Sequence, residues 1–127
     1  MKHLLIPFLF FPLVCFSQNQ VKEFYPSNKL RSVRTFVDSI PHGKSTEYYE
    51  NGFKEQQGSF NHGKKDGEWR EWYKNGKLWS LSFYKNGVPN GRYEDYDMNG
   101  GKVEEGVLLN GVPSGPIKTW YNDGSAR

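Results

Sequence analysis

One acidic stretch has the spacing of a metal-binding loop. Residues 95–100, DYDMNG, match the opening of a calcium loop, D-x-D-x-N-G. Calcium also needs a bidentate acid at the twelfth position of such a loop, and that position is Gly106, one residue after Glu105. Stretches at equivalent spacing read EYYENG and EWYKNG and indicate that these positions form a hairpin turn. We therefore interpret residues 95–100 as a hairpin turn and expect no bound metal.

Two histidines and a row of acids are the remaining candidates for catalysis. His42 and His62 occupy positions that carry Asn, Asp or Ser elsewhere at a fixed spacing, so we interpret both as solvated turn residues. Glu47, Glu71 and Asp95 recur at equal intervals, which favours a solvated row on an open sheet over a cleft that separates carboxyl pKa values. No nucleophile elbow or phosphate loop occurs in the sequence. We expect no enzyme activity and no cofactor.

Aromatic residues, 17% of the chain, are the stronger candidates for function. One position is aromatic in every copy of a repeated pattern, and we expect those side chains to pack within the sheet: Tyr48, Trp72, Tyr96 and Trp120. Other aromatics vary between equivalent positions and are therefore freer to contact a partner: Trp69, Trp79 and Tyr93. An exposed apolar stripe on such a chain is typical of a protein interaction site.

The element that must position these side chains is a repeat of 24 residues. Three sets of glycines recur at this interval: Gly43, Gly67, Gly91 and Gly115; Gly52, Gly76, Gly100 and Gly124; and Gly63, Gly87 and Gly111. The units are residues 43–66, 67–90 and 91–114, with a half unit at 115–127 and a degenerate copy within 18–42. Repeats of this length indicate a chain whose units contact mainly their neighbours.

Each unit predicts a β-hairpin, because aromatic and polar residues flank an Asn-Gly pair suited to a tight turn. A two-residue loop at Asn75-Gly76 would place Trp72 opposite Trp79 and Trp69 opposite Ser82. The same register places Tyr93 opposite Gly106, and Ser45 beside Gly58. Longer turns carrying Pro89 and Pro113 would join the hairpins. The predicted fold is all-β, an elongated single antiparallel meander sheet.

The pattern G-x-W-x-x-W-Y-x-N-G-K-L followed by F-Y-K-N-G-x-x-x-G resembles the bacterial MORN-repeat variant, whose members are often labelled YwqK-type antitoxins. The resemblance covers residues 43–124 well and 21–42 weakly. It implies an elongated sheet of hairpins. For function it implies a membrane-associated scaffold, a protein-binding module or an immunity protein.

The N-terminal residues differ in composition from the repeats. Residues 1–17 carry one basic residue, Lys2, and an apolar run, as in a signal peptide cleaved between Ser17 and Gln18. Val14 makes lipidation at Cys15 the weaker interpretation, because the residue before a lipidated cysteine is normally small. Removal of residues 1–17 with Lys2 lowers the formal net charge from +3 to +2, and acids and bases are interleaved. This indicates a solvated surface and not a nucleic-acid footprint.

We expect an exported, non-enzymatic module that binds another protein, with no nucleic acid partner. An antitoxin or immunity role is the first alternative, and binding of lipid head groups or glycans is the second. Contact with a membrane surface would be weak at this charge. The half unit at 115–127 leaves a strand at 115–121 without a hairpin mate. This end is either a natural cap or an open edge through which a second chain could pair.

Overall fold

The computed structural model describes residues 17–127, and these form one antiparallel sheet of ten strands. The strands are β1 (Gln18–Phe24), β2 (Leu30–Val37), β3 (Ile40–Tyr48), β4 (Lys54–Asn61), β5 (Lys64–Trp72), β6 (Leu78–Lys85), β7 (Val88–Tyr96), β8 (Lys102–Leu109), β9 (Val112–Pro113) and β10 (Lys118–Thr119). Strands β1 to β8 follow one another across the sheet in chain order, and β9 and β10 both pair with β8. The all-β meander is confirmed. The described part contains no helix that is long and apolar enough to cross a membrane.

The turns between successive hairpins are the tight ones, contrary to the sequence prediction. Asn86 and Gly87 alone separate β6 from β7, and both have positive φ, 51° and 79°. This is the geometry of a two-residue turn whose twist matches that of the strands. Because the turn is short, Pro89 lies in β7 opposite Tyr84, and Pro113 lies in β9. The prediction that these prolines lie in long connecting turns was wrong.

The turns inside the hairpins are one residue longer than predicted. The N–H of Gly76 donates to the carbonyl of Tyr73 at 2.9 Å, and Tyr73 N–H donates to the Lys77 carbonyl at 2.9 Å. Only Gly76 in this turn has positive φ, 85°. A β-bulge accommodates the extra residue, so Trp72 pairs with Leu78 and not with Trp79. The pairing of Trp69 with Ser82 is confirmed, because the bulge lies beyond it.

A second kind of bulge occurs in every other strand, and it explains why the set that contains Gly91 is glycine. The pairs Ser82–Tyr93 and Tyr84–Pro89 leave a single β6 residue opposite three residues of β7. Gly91 lies in this bulge with a φ of 130°, which a residue with a side chain rarely adopts. The repeat therefore uses this glycine for a bulge and the other two sets for turns.

The sheet has two faces with separate rows of side chains. Residues paired across strands lie on the same face, and neighbours along a strand lie on opposite faces. We call one the Trp69 face and the other the Trp72 face, since these residues are three apart on β5. Among the described residues the buried hydrophobic side chains are Trp69 and Leu81. A single layer of strands provides little other buried volume.

The C-terminal end of the sheet is irregular. Strands β9 and β10 each have two residues, and residues 114–117, which include Pro116, separate them. Beyond β10, Trp120 bridges to Ala126, and the N–H of Arg127 donates to the carbonyl of Thr119 at 2.8 Å. The predicted strand at 115–121 is thus shortened, and its end has a partial mate where none was expected.

Candidate binding surfaces

Trp69 is the centre of the best-packed cluster in the sheet, and it is only 3% exposed. Its ring lies over Gly58 of β4, where an added Cβ would come within 2.7 Å of the Trp69 Cγ. Its Nε1–H donates to the carbonyl of Ser59 at 3.1 Å. Phe60 and Tyr84 meet the ring edge-on at centroid distances of 5.0 and 6.5 Å. The prediction that Trp69 is free for a partner was wrong, because glycine at position 58 lets the ring lie flat on the backbone.

A lysine covers this cluster. The Nζ of Lys65 lies 4.3 Å from the Trp69 ring centroid and 5.0 Å from that of Tyr84. A cation over two aromatic faces is attracted by both rings. Burial and, secondarily, the Glu71 carboxylate raise the pKa of Tyr84 above its usual value. Lys65 thus covers the buried Trp69 ring, while Phe60 and Tyr84 remain partly exposed around it.

Tyr93 occupies the equivalent position in the next repeat and is partly exposed. Its ring lies over Gly106, as the sequence predicted, and an added Cβ there would lie 2.8 Å from the Tyr93 Cε1. The hydroxyl donates to the Glu104 carboxylate at 2.7 Å. That hydrogen bond, with burial, raises the pKa of Tyr93 to about 12. Tyr93 is therefore tied to the sheet but still presents part of its ring.

A ladder of tyrosines joins successive hairpins along one side of the sheet, where the strands end in the three-residue turns. Each hydroxyl donates to a backbone carbonyl of the following repeat: Tyr25 to Tyr48 at 2.7 Å, Tyr49 to Trp72 at 2.7 Å and Tyr73 to Tyr96 at 2.8 Å. Two asparagines in the same turns bond forward as well, Asn51 to Lys74 and Asn75 to Met98. We call this edge the ladder edge. These bonds fix the position of each turn on its neighbour.

The ladder stops at Asp97, which replaces the tyrosine of earlier repeats. Its Oδ1 accepts the N–H groups of Asn99 and Gly101 at 2.8 and 2.9 Å, so the carboxylate holds its own turn. The predicted hairpin turn at residues 95–100 is confirmed. The hydrogen-bond ladder formed by Tyr25, Tyr49 and Tyr73 was not predicted from the sequence.

Large apolar side chains protrude along the ladder edge. Exposed fractions are 51% for Phe53, 46% for Trp79, 59% for Met98 and 40% for Val103. We call these four residues the ladder-edge stripe. Trp79 rests on Tyr73 with the ring centroids 5.9 Å apart, and Phe53 lies against Gly76 of the next turn. Trp79 is thus the one predicted contact residue that is largely open to solvent.

The Trp72 face carries the fully aromatic column. Tyr48, Trp72, Tyr96 and Trp120 are all half-buried. Lysines from the paired positions lie against the rings: Lys54 lies 5.6 Å from the Trp72 centroid, and Lys102 lies 5.8 and 5.7 Å from those of Tyr96 and Trp120. The hydroxyl of Tyr96 bonds to Glu94, and this bond raises the Tyr96 pKa.

The two histidines contact each other, which the sequence did not indicate. Their rings meet edge-on with centroids 4.8 Å apart, and the His62 backbone N–H donates to His42 Nδ1 at 3.1 Å. His62 is a turn residue, as predicted, with a φ of 49°. His42 lies in β3 instead, because the two-residue turn ends at Gly63 and the preceding one ends at Ser39. In the described part of the chain no three His, Cys, Asp or Glu side chains converge as metal ligands.

The predicted acidic row lies on the Trp69 face. Glu47 forms an ion pair with Arg34, so it is not simply solvated. Asp95 stands directly opposite Glu104 in the register of β7 and β8. These carboxylates lie along an open sheet and do not form a cleft.

The family comparison agrees with the hairpin architecture. The model of the MORN repeat variant matches residues 18–38, 41–62 and 65–86, just over half of the 127 residues. Each match covers one hairpin, β1–β2, β3–β4 and β5–β6. The match includes residues 18–38, whose repeat pattern is degenerate in the sequence, and it ends before the equivalent hairpin β7–β8. No curated protein matches the chain. The chain belongs to the MORN repeat variant family.

Proposed function

We propose that this chain is a non-enzymatic module that binds another protein through the ladder-edge stripe. One observation carries the proposal: four large apolar side chains are 40–59% exposed along the same edge. Large apolar side chains that a fold leaves in solvent along one edge are typical of interaction sites. Aromatic residues with few rotatable bonds are the usual anchors of such sites.

Hydrogen bonds between repeats also brace the ladder edge. The hydroxyl bonds of Tyr49 and Tyr73 cross from one repeat to the next. Since binding is weakened by the entropy of ordering a loose surface, a preorganised edge suits a contact site. Burial raises the pKa of both hydroxyls, so they remain protonated donors at neutral pH.

Trp79 is the proposed anchor. It stands near the middle of the stripe and is supported from below by Tyr73. Of the other predicted contact residues, Tyr93 lies on the Trp69 face and would be peripheral. Trp69 maintains the sheet beneath and does not contact the partner.

Affinity purification from the native source with Trp79→Ala as bait tests the proposal. We expect the unsubstituted protein to retain a reproducible protein partner and Trp79→Ala to retain at least tenfold less, as for a hot-spot residue of about 2 kcal/mol. Val112→Ala is the matched control, because Val112 is 64% exposed on the opposite edge. Equal recovery with both variants would show that the stripe is not the contact surface.

We propose further that the protein acts outside the cytoplasm. The support is the leader-like composition of residues 1–17, of which 1–16 lie outside the described residues. Mass spectrometry of the protein recovered from its source should show an N-terminus at Gln18. A retained Met1 would contradict export by cleavage.

A further inference from the structure

The two ends of the sheet differ in how they terminate. At one end β1 has seven consecutive residues, all exposed and without proline or glycine. Within the described residues its only neighbour is β2. At the other end β9 and β10 have two residues each and are interrupted at Pro116. Short, interrupted strands protect a sheet edge, whereas a long regular one invites pairing. Among the described strands, β1 is therefore the open edge of the sheet.

The turn between β2 and β3 determines which backbone N–H and C=O groups of β1 face away from the sheet. Asp38 and Ser39 form a two-residue turn of positive φ, so the flanking pair Val37–Ile40 is hydrogen-bonded. The next residue, Phe36, must direct its N–H and C=O towards β1, where it pairs with Asn19. Orientation alternates along a strand. Asn19, Val21 and Glu23 thus bond to β2, and the backbone groups of Gln18, Gln20, Lys22 and Phe24 face outward.

This alternation restricts how β1 can pair with a second copy of itself. In an antiparallel pair, residues with outward groups must stand opposite each other, so the two-fold axis passes through a residue. An axis at Lys22 would place two ammonium groups opposite each other, which is destabilising. An axis at Val21 pairs all seven residues, with Val21 opposite its copy, Gln20 opposite Lys22, and Asn19 opposite Glu23. In this register no charge faces a like charge.

We propose that two copies of this chain associate through β1, antiparallel about Val21, to form one continuous sheet. The pairing satisfies the outward backbone groups of both strands. It also covers Val21 and Phe24, which are 44% and 56% exposed. The proposal does not depend on the ladder-edge stripe, because it uses a different surface and a different partner.

Cysteine cross-linking tests the register. Opposite residues of a non-hydrogen-bonded antiparallel pair have Cα atoms about 4.5 Å apart, within the range of a disulfide. We expect purified Val21→Cys to form a covalent dimer under mild oxidation. Asn19→Cys is the matched control, since its copy would lie four residues further along the partner strand, roughly 13 Å away. Both variants also carry Cys15→Ser, because Cys15 is the only native cysteine and could otherwise form a covalent dimer with the introduced thiol.

A proline at an outward position tests the edge itself. Gln20→Pro removes an outward N–H and leaves the bonds between β1 and β2 in place. We expect light scattering to give twice the monomer mass for the unsubstituted protein and for Gln20→Ala, but the monomer mass for Gln20→Pro. Circular dichroism checks that the sheet is retained.

Three results would overturn the proposal. The first is a monomer mass for the unsubstituted protein at about 100 μM, a concentration at which weak association is still detected. The second is a dimer that persists in folded Gln20→Pro. The third is a cross-link from Asn19→Cys as efficient as that from Val21→Cys. The first would leave the β1 edge for a strand of a different protein.

Discussion

Trp69 and Tyr93 occupy the same position in consecutive repeats, yet their rings lie over opposite neighbours. Trp69 on β5 covers Gly58 of the preceding strand, whereas Tyr93 on β7 covers Gly106 of the following strand. Between them, Ser82 pairs with both residues and is covered by neither ring. Positions 58, 82 and 106 are equivalent in successive repeats, and the two that lie under an aromatic ring are glycines. The direction of each ring is set by which neighbouring strand lacks a Cβ.

The same two repeats differ along the ladder edge. The hairpin of residues 67–90 carries Tyr73, which bonds forward to Tyr96, while the hairpin of 91–114 carries Asp97, which bonds to its own turn. The repeat with the buried tryptophan is thus linked to the next unit. The repeat with the partly exposed tyrosine has no such link from that position. We infer that the sheet is most stable around β4 to β6 and opens first near β8.

The largest difference in stability between the two repeats is expected when the Trp69 and Tyr93 rings are removed. Trp69→Ala should lower the free energy of unfolding by about 3–5 kcal/mol, because a buried ring leaves a cavity. Tyr93→Ala should cost less, since part of that ring is already in solvent. Urea titration followed by far-ultraviolet circular dichroism measures both. Equal losses would contradict the assignment of Trp69 as the core of the sheet.

The next effect concerns the glycines beneath the rings. Gly58→Ala should cost about 1–3 kcal/mol, as for other overpacked sites, because the buried Trp69 ring must move. Gly106→Ala should cost less, since the partly exposed Tyr93 ring can lift away. Combining Gly58→Ser with Ser82→Gly sharpens the comparison, as Trp69 should then turn towards β6. Nuclear Overhauser contacts from the indole ring would report its direction, and a ring that stays over β4 would refute the rule.

A smaller effect is expected from the ladder hydroxyls. Tyr49→Phe and Tyr73→Phe should each cost about 1 kcal/mol, the net value of a typical hydrogen bond. Tyr121→Phe is the control, because Tyr121 is at the far end of the column and 52% exposed. Hydrogen exchange should show faster exchange in the turn that follows each substituted tyrosine. Identical behaviour of all three variants would mean that the ladder adds no stability.

The last expected effect appears only at high pH. The folded pKa of Tyr93 is raised to about 12, whereas an unfolded tyrosine titrates near 10. Its contribution to stability is therefore complete below about pH 10 and is lost as the pH rises towards about 12. Tyr93→Phe should flatten the fall in stability over that interval, as measured by urea titration at stepped pH. An unchanged slope would show that the bond to Glu104 does not form in solution.

Much of the fold could be predicted because the relevant signals are local. The glycine columns gave the hairpin number, and alternation along strands gave the pairs Trp69–Ser82 and Tyr93–Gly106. The turns were harder, because Asn-Gly suits both two-residue and three-residue loops. Asn75 precedes the only positive φ of its turn, while Asn86 itself has positive φ. Whether an Asn-Gly pair forms a two-residue or a three-residue loop depends on whether the neighbouring strands accommodate a bulge.

The candidate binding residues could be identified by type but not by exposure. Trp69 and Trp79 are both aromatic positions that vary between repeats, and nothing in their immediate neighbours distinguishes them. The structure buries the first over Gly58 and leaves the second 46% exposed on Tyr73. The residue beneath Trp69 is eleven positions away in the chain and on a different strand, so no local pattern could indicate it.

The sequence by itself determined the repeat, the strand order and the antiparallel sheet, because turn glycines and alternating side chains act over a few residues. Only the tertiary structure decided which rings form the core, how the tyrosine hydroxyls link repeats and which sheet end is open. These features depend on atoms brought together from separate strands. Their energies arise from missing Cβ atoms, satisfied carbonyls and unpaired backbone groups, none of which is visible until the strands are placed side by side.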